Sequence, residues 1–446
     1  MQIKSSIVEA VESEYDKDKT SEVLDDSVIE VIKELKDVDI VVGIPSFNNE
    51  ATISKVVTSF GEGLKKYYPD FKCIIVNADG QSMDRTVEMV EKAQVPRGVR
   101  KITTYYKGPR GKGSALRTIF EIARRLEAKV CVVSDADTRS ITPEWTYALV
   151  NPVLCLGYGY VTPYYSRDKH DATITNALVY PTIRALYGLR IRQPIGGDFA
   201  FSNGVLQVLT RKIYWEKYPY ISKFGVDVWM TTTAMNEGFR VCQTVLGSKV
   251  HDVKDPGKDL SPMFMQVVGT MFDLMKYYEF RWRNVIGSIQ SYIFGKFKFT
   301  EVERISVNFD ELIQKFSTGY EKYKNVWKAM FDKDTYLEFR KAINSYPLEE
   351  LVISVELWAK IVYEFACAYN FVRPEEKELV LQSMIPFYFI RTASFIKEAM
   401  LFSDEIADAV VEGNAGVFER LKDYLVSRWD CYKKKGELFS FADKVL

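Results

Sequence analysis

Short apolar runs alternate with amphipathic segments over the first half of the chain, beginning at Asp39. Apolar runs bounded by polar turns are typical of strands buried on both faces, and the segments between them have the period of helices. The pattern predicts strands over 39–44, 72–76, 101–106 and 130–134, and helices over 50–60, 84–92 and 113–126. Strands separated by helices favour an α/β fold with a mainly parallel sheet, which binds ligands beyond the carboxyl ends of its strands.

After Ser261 this alternation gives way to long amphipathic segments rich in Phe, Tyr and Trp. They cover 263–283, 348–369 and 378–400, and Pro386 should kink or split the last one. We predict an all-helical C-terminal domain without strands, whose aromatic stripes form its core or a dimer interface. Residues 27–36 predict an N-terminal helix, packed on the main body or on a second subunit, within a leader that is otherwise polar. The predicted domains are 1–38, 39–260 and 261–446.

The composition of the 446 residues is that of an ordinary globular protein, with 47% hydrophobic and 27% charged residues. Sixty basic residues balance sixty acidic ones, so the clustered positive field that nucleic-acid binding needs is missing. Six cysteines without C-x-x-C pairs indicate a reduced compartment. We expect a cytoplasmic protein that binds neither nucleic acid nor membrane, because no apolar stretch reaches spanning length. The helical segments suggest a homodimer.

The sequence Asp135-Ala136-Asp137 ends the fourth predicted strand. Two carboxylates one residue apart suit Mg²⁺ or Mn²⁺, which keep waters and bind substrate phosphates directly. Three other D-x-D matches occur, at 16–18, 37–39 and 332–334, but only this copy ends a strand that follows three predicted β-α units. Its context therefore predicts a metal-phosphate site.

The loops after the other predicted strands carry polar residues that suit a nucleotide. Pro45 should halt the first strand, and Glu50 is placed to accept hydrogen bonds from a ribose or base unless it only favours the first turn of a helix. Asp79 lies at the exit of the second strand. Lys112 lies in a glycine-rich basic loop before a helix, which makes an anion cradle, with a solvated loop as the alternative. The first loop is not glycine-rich, which weighs against sugar nucleotidyltransferases.

Four motifs in this order resemble those of the GT-A glycosyltransferases, and the resemblance covers residues 38 to about 260. The motifs are P-x-[FY]-N-N-E, D-G-x-S-x-D, a G-K-G loop and D-x-D. Segments 192–202, 224–229 and 250–252 are similar to the retaining enzymes that make glucosyl-3-phosphoglycerate or mannosylglycerate. The resemblance implies a UDP- or GDP-linked sugar donor and a Mg²⁺ or Mn²⁺ cofactor. It implies donor-binding roles for Pro45, Phe47, Glu50, Asp79, Lys112, Asp135, Ala136 and Gly196.

The chain has only two histidines. In the enzymes that it resembles, a histidine at the position of His251 completes the metal site begun by Asp135 and Asp137. An imidazole nitrogen beside carboxylates suits Mn²⁺ or Mg²⁺. For His170 we expect a structural or exposed position.

Three residues are candidates for the chemical step. Gly197, in a glycine pair with Gly196, lets the backbone approach the sugar closely, with a tight turn as the alternative. Asp198 is placed to hydrogen-bond the sugar hydroxyls, and Asp227 to contact the acceptor or to cap a helix. If the enzyme inverts, Asp227 or Asp198 is the general base. If it retains, as the resemblance implies, no side-chain base is required.

The acceptor is implied only by the resemblance, with Thr175, Arg192 and Asp227 as its binding residues. Related enzymes place an arginine where this chain has Thr173, two residues before Thr175, so glycerate or another polyol becomes a better candidate than 3-phosphoglycerate. Arg167, Arg184 or Arg192 would compensate, since a guanidinium suits carboxylate and phosphate.

The leading hypothesis is a metal-dependent retaining transfer of glucose or mannose to glycerate or 3-phosphoglycerate. The alternatives are an inverting transferase acting on another glycan or polyol, and a catalytically inactive binding module.

Overall fold

The computed structural model describes residues 22–35, 37–251 and 260–434. Strands and helices alternate as predicted from β1 to β4, and one further helix and strand continue the alternation to residue 166. The strands are β1 (Ile40–Ser46), β2 (Cys73–Asp79), β3 (Val99–Tyr105), β4 (Val130–Val133), β5 (Tyr160–Ser166), β6 (Leu189–Arg190), β7 (Phe199–Ser202) and β8 (Val241–Ser248). The helices are α1 (Asp26–Leu35), α2 (Ile53–Tyr67), α3 (Thr86–Lys92), α4 (Lys112–Arg125), α5 (Glu144–Leu156), α6 (Tyr180–Tyr187), α7 (Asn203–Leu209), α8 (Lys212–Lys217) and α9 (Val226–Asn236). A π-helical turn, Thr175–Val179, leads into α6.

The helical region that follows also contains two strands of two residues each. Its helices are α10 (Ser261–Tyr277), α11 (Glu279–Arg283), α12 (Phe309–Met330), α13 (Lys333–Ser345), α14 (Val355–Phe371), α15 (Lys377–Glu398), α16 (Asp404–Arg420) and α17 (Lys422–Lys434). Its strands are β9 (Ile289–Gln290) and β10 (Ile293–Phe294). The predicted helical C-terminal region is thus confirmed, but the prediction that no strand follows residue 261 was wrong. Strand β10 pairs with β8 and adds an edge to the main sheet.

The main sheet has the order β10-β8-β5-β7-β4-β1-β2-β3. Every pairing is parallel except those of β7, which runs antiparallel to both β4 and β5. The predicted α/β fold with a mainly parallel sheet is confirmed. The carboxyl ends of β1, β2 and β4 lie side by side, and residues 134–137 leave the sheet at this edge.

Strand β1 does not stop at Pro45, so that prediction was wrong. Pro45 pairs in register with Ala78, and the strand continues to Ser46. The other neighbour, β4, pairs only as far as Gly43 and Val133. The amide that proline lacks would face this vacated side, so no ladder hydrogen bond is lost there.

Helix α2 begins at Ile53, later than the predicted residue 50. Three backbone amides of the loop after β1 instead donate hydrogen bonds to side chains that follow β2. These pairs are Asn48 N to Ser82 Oγ, Asn49 N to Thr86 Oγ1 and Glu50 N to Asp84 Oδ2. The two loops are therefore joined before the helix starts, and Asp84 and Ser82 hold the neighbouring loop.

Pro386 lies within α15, which is one continuous helix and is not split. The proline ring packs on α12, where a Cβ at Gly319 would lie only 2.1 Å from Pro386 Cγ. The close approach of α12 and α15 thus depends on this glycine. One span of the described chain, Pro374–Glu398, is long and apolar enough to cross a membrane, but 72% of its apolar 18-residue window is buried within the protein.

Helix α1 packs on the main body, with Val28, Ile29 and Ile32 in one core with α4. On α4 itself, the buried Glu121 pairs with Arg124 and Arg125 at 2.8 and 2.7 Å. Burial raises the pKa of Glu121, but the hydrogen bonds and charges of the two arginines outweigh it and hold that pKa below its usual value. Residues 1–21 and 36 of the predicted leader lie outside the described residues.

Candidate active site

Two cavities open at the carboxyl edge of the sheet and meet at Asp135 and Asp137. The larger, called here the strand-end cleft, has a volume of about 420 Å³, and the inner cavity about 160 Å³. The cleft is lined by Pro45, Ser46, Phe47, Asn49, Gly80, Tyr106, Arg110, Gly111, Lys112, Ala115, Asp135, Ala136, Asp137 and Phe224. The inner cavity shares Lys112, Asp135, Asp137 and Phe224 with the cleft, and adds mainly Arg167, the 170–175 segment, Gly196, Asp227, Lys249, His251 and residues of α10.

Lys112 lies between two carboxylates at this junction. Its Nζ is 2.8 Å from Asp135 Oδ1 and 3.0 Å from Asp227 Oδ2. Burial lowers the pKa of Lys112, but the charges of the two carboxylates outweigh it and raise that pKa above its ordinary value. Burial raises the pKa of Asp227, which lies in the first turn of α9, and Lys112 offsets only part of that rise.

Asp198 is fully buried and lines neither cavity. Its carboxylate accepts hydrogen bonds from the hydroxyls of Ser134 and Tyr165, and it forms an ion pair with Lys249. The ammonium of Lys249, with 2% of its side chain exposed, also lies 3.5 Å from Asp135 Oδ2. Lys249 therefore supports Asp135 from behind. Lys249 was not among the predicted site residues, although a lysine at the end of an apolar strand and two residues before His251 was a usable signal.

The glycine pair allows the chain to pass close to neighbouring groups. Gly197 has φ +88°, and a Cβ on it would lie 1.9 Å from Asp135 Oδ2. A Cβ on Gly196 would lie 2.3 Å from Cγ of Pro163. The backbone at Gly197 thus encloses Asp135, while its predicted approach to a sugar stays a prediction.

His251, Asp135 and Asp137 all line the inner cavity. His251 Nε2 lies 3.7 Å from Asp171 Oδ2. Among the residues that the structure describes, no three His, Cys, Asp or Glu side chains are near enough to one another to hold a metal ion as they stand. In donor chemistry the set fits Mg²⁺ or Mn²⁺, because two carboxylates and an imidazole face one cavity. The polar run after His251, residues 252–259, lies outside the described residues.

Two of the predicted nucleotide-binding carboxylates bind parts of the protein. Glu50 Oε2 accepts hydrogen bonds from the backbone amide and Nε of Arg85, at 3.1 and 3.2 Å. Asp79 is fully buried and accepts hydrogen bonds from both Ser46 and Ser82. Neither carboxylate lines the strand-end cleft, so both hold the loops that form it.

Residues 41–216 match the family model Glycosyl transferase family 2. This match, together with the α/β fold, supports a GT-A glycosyltransferase domain in the first half of the chain. A curated relative, glucosyl-3-phosphoglycerate synthase from Petrotoga mobilis, is 27% identical over 265 residues, which are 55% of this chain and 76% of that protein.

Two solved structures of glucosyl-3-phosphoglycerate synthase from Mycobacterium tuberculosis are also similar. The complex with Mg²⁺ and UDP is 22% identical, with a TM-score of 0.41 over 54% of this chain and 82% of that one. The complex with Mn²⁺, UDP and glucosyl-3-phosphoglycerate is 23% identical, with a TM-score of 0.42 over 54% and 83%.

The arginines near the inner cavity differ in their partners. Arg192 pairs with Asp408 of α16 at 2.7 Å, and Arg184 pairs with two glutamates of the same helix. Neither lines the inner cavity, whereas Arg167 does. Arg167 pairs with Asp171 at 2.8 Å, but its buried Nε finds no hydrogen-bond partner in the described part of the chain.

Thr175, a predicted acceptor residue, lines the inner cavity, as does Thr173. His170, expected to be structural or exposed, also faces this cavity, and its Nδ1 is buried without a hydrogen-bond partner among the described residues. This position was not predictable from the sequence, because a lone histidine in a polar loop carries no periodicity.

Proposed function

We propose that the protein is a metal-dependent retaining glycosyltransferase that moves glucose or mannose from a UDP- or GDP-linked sugar to glycerate or 3-phosphoglycerate. The observation that carries the proposal is the position of Asp135 and Asp137 at the junction of two cavities. A nucleoside diphosphate sugar needs a cleft for its nucleotide, and its sugar must meet the acceptor in a second space. The name of the Petrotoga mobilis relative supports glucose and 3-phosphoglycerate as substrates.

The strand-end cleft suits the donor nucleotide. Phe47 and Tyr106 line it with aromatic surface, and Phe47 is 49% exposed, which leaves its ring open to a base. Arg110 and Lys112 bring positive charge to the same cleft, at the amino end of α4. Cations beside a helix N-terminus favour the phosphates of a nucleotide.

Asp135, Asp137 and His251 are the residues that would hold the divalent ion. When bound, that ion supplies Lewis-acid stabilisation of the charge on the departing diphosphate. Lys112 contributes a fixed positive charge at the same place. Lys249 holds Asp135 from the opposite side, so the carboxylate is oriented before any ligand arrives.

For a retaining reaction no side-chain base is needed, since the acceptor attacks from the leaving-group face and a phosphate oxygen takes its proton. The ion pair of Asp227 with Lys112 supports a binding role for this carboxylate. An inverting reaction on another glycan or polyol is the second candidate. It is favoured by the raised pKa of the buried Asp227, which suits a general base better than an ordinary carboxylate does.

The charges of the inner cavity favour glycerate over 3-phosphoglycerate. Three cations line it among the described residues, Lys112, Arg167 and Lys249, and each has a carboxylate partner within 3 Å. A phosphate would bring further negative charge against Asp171 and Asp227, which line the same space. The buried Nε of Arg167 offers a donor for one carboxylate. We therefore propose glycerate as the preferred acceptor.

The test is release of nucleoside diphosphate by the purified protein with Mn²⁺ or Mg²⁺. UDP- and GDP-linked glucose and mannose are crossed with D-glycerate, 3-phosphoglycerate and no acceptor, and the anomeric configuration of the product is read by NMR. We expect release that requires an acceptor, retains configuration and disappears when EDTA removes the metal.

The chain offers a matched control for this assay. Asp137→Asn changes the second carboxylate of the site, and Asp334→Asn makes the same change in the D-x-D at the start of α13. Loss of activity in Asp137→Asn alone supports the proposal. Release that needs no acceptor, or equal rates for both variants, contradicts it.

The proposal includes a cytoplasmic enzyme that acts as a homodimer without nucleic-acid or membrane partners. Light scattering of the purified protein at several concentrations tests the dimer, and a constant monomer mass contradicts it.

A further inference from the structure

The loop between β5 and the π-helical turn, residues 167–174, forms one wall of the inner cavity. Arg167, His170, Asp171 and Thr173 of this loop line the cavity. Because the proposed function places the acceptor there, this segment is called the acceptor loop. Its opposite side faces the helical region and is joined to it by hydrogen bonds and ion pairs.

Lys169 makes the largest number of these contacts. Its Nζ donates hydrogen bonds to the carbonyls of Ala399, Met400 and Phe402, at 2.8, 3.1 and 3.0 Å. These carbonyls follow the end of α15, where helix geometry leaves acceptors without partners and the helix dipole favours a cation. All three donor positions of the ammonium are thus used by one turn of the helical region.

Three further contacts fasten the same loop to the helical region. The backbone amide of Lys169 donates to Asp404 Oδ1 at 3.0 Å, in the first turn of α16. Arg304 pairs with both Asp404 and Asp168, at 2.9 and 3.3 Å. The Thr173 hydroxyl lies 2.6 Å from the Tyr388 hydroxyl of α15. The loop is therefore held at three points along its length.

The backbone of the loop requires such support. Ala172 has φ +52°, a left-handed conformation that costs a non-glycine residue free energy. It is held by hydrogen bonds from Ala172 N to Asp171 Oδ1 and from Asn176 N to Ala172 O, at 2.7 and 2.8 Å. Strained backbone persists where the surrounding structure determines it. Here Asp171 and Asn176 hold Ala172 directly, and the helical region holds the loop on either side of it, at Lys169 and Thr173.

We propose that Lys169 is a positioning residue through which the helical region sets the affinity for the acceptor. By binding the carbonyls after α15, it holds the acceptor loop with Arg167 and Asp171 facing the inner cavity, and it touches no substrate itself. The inference rests on the proposed function only for the identity of the ligand that binds against the acceptor loop. It predicts that weakening the attachment impairs acceptor binding while leaving the nucleotide half of the site unchanged.

The chain contains a matched control. Lys101, in the edge strand β3, donates to the carbonyls of Val90, Glu91 and Ala93 at the end of α3, at 2.8, 2.8 and 2.7 Å. It lines neither cavity of the site. Lys101→Met and Lys169→Met therefore remove the same kind of lysine contact with a helix end, and only the second lies behind the acceptor loop.

The experiment compares steady-state kinetics and hydrogen–deuterium exchange for both variants. For Lys169→Met we expect KM for the acceptor to rise about tenfold, with kcat and the dissociation constant for UDP or GDP within about twofold of the unaltered protein. The amides of residues 168–173 should exchange faster. Lys169→Arg should recover part of the acceptor affinity, and Lys101→Met should change neither KM nor exchange in this loop.

Unchanged acceptor KM and unchanged exchange in Lys169→Met overturn the proposal, as does an equal rise of KM in Lys101→Met. If the unaltered protein transfers sugar to no acceptor, the proposed function fails, and the exchange comparison still decides whether Lys169 holds the loop. If Lys169→Met does not fold, Asp404→Asn replaces it under the same criteria, because it weakens the contact with the amide of Lys169.

Discussion

Replacement of Gly197 by alanine tests how closely the backbone encloses Asp135. A Cβ at this position would lie 1.9 Å from Asp135 Oδ2 and 2.7 Å from its Cγ. Real Cβ atoms do not approach an oxygen within 3.0 Å, so the carboxylate must move by about 1 Å or more. Lys112 and Lys249 hold both oxygens of Asp135, and the movement therefore disturbs the whole junction of the two cavities.

The expected loss follows from this displacement. A misplacement of about 1 Å in a reacting group costs about 100-fold in rate. That factor equals about 2.7 kcal/mol of transition-state stabilisation, because each tenfold corresponds to about 1.4 kcal/mol. The left-handed backbone at φ +88° adds a separate cost of about 1–2 kcal/mol to the folding free energy.

Gly238 separates the two effects, because its φ is +86° and no atom lies within 4 Å of a Cβ built there. Gly238→Ala should therefore lose only the backbone part of the folding free energy, about 1–2 kcal/mol in urea unfolding, yet keep its activity. The assay is kcat/KM for nucleoside diphosphate release with donor and acceptor below saturation. If the two variants differ by less than about threefold in kcat/KM, the argument from the Asp135 contact is refuted.

Three further changes give distinct outcomes. Lys249→Met leaves the buried Asp198 without its cation and should cost about 3–5 kcal/mol of stability in urea unfolding. The double variant with Asp198→Asn should lose less stability. Equal losses in the single and double variants would contradict the pairing. Arg192→Met should lower the melting temperature by breaking the contact with Asp408 while leaving the acceptor KM unchanged, and a raised KM would return Arg192 to the acceptor site. Because the pKa of Glu121 is lowered in the folded state, its stabilisation is present above the unfolded value of about 4.3 and is lost as pH falls through the folded pKa. Stability of Glu121→Gln should therefore fall less steeply below pH 4.3 than that of the unaltered protein, and equal slopes would argue against the shift.

The strand-end half of the site was largely predictable from the sequence, because its parts are local. Pro45, Lys112 and the 135–137 segment each follow one apolar run, and parallel strands bring their carboxyl ends to one edge. The prediction was wrong for Pro45, where a rule about the local sequence depended on a neighbouring strand. Pro45 continues β1 because β4 is too short to need its amide, and the sequence of β1 alone contains no information about the length of β4.

It was harder to predict from the sequence which polar side chains form hydrogen bonds or ion pairs with one another. Glu50 and Asp79 have the residue type and position of nucleotide ligands, yet both accept hydrogen bonds from neighbouring loops. Lys249 was missed because its partner, Asp198, is distant in sequence and reaches it only through the antiparallel insertion of β7 between β4 and β5. Partner choice among polar side chains depends on tertiary geometry, which residue type and spacing do not specify.

The strand-end cleft is formed by the ends of strands, whereas the acceptor loop is held by the helical region. Motifs at strand ends therefore carry little information about the acceptor. At Thr173, where the resemblance predicts an arginine, the hydroxyl contacts Tyr388 of the helical region. Arg167 lines this wall with a guanidinium from a different position, and Lys169 fixes the loop to the end of α15. Under the proposed function, the helical region therefore sets acceptor affinity by holding one loop, and a change in α15 or α16 should alter that affinity without any change in the D-x-D segment.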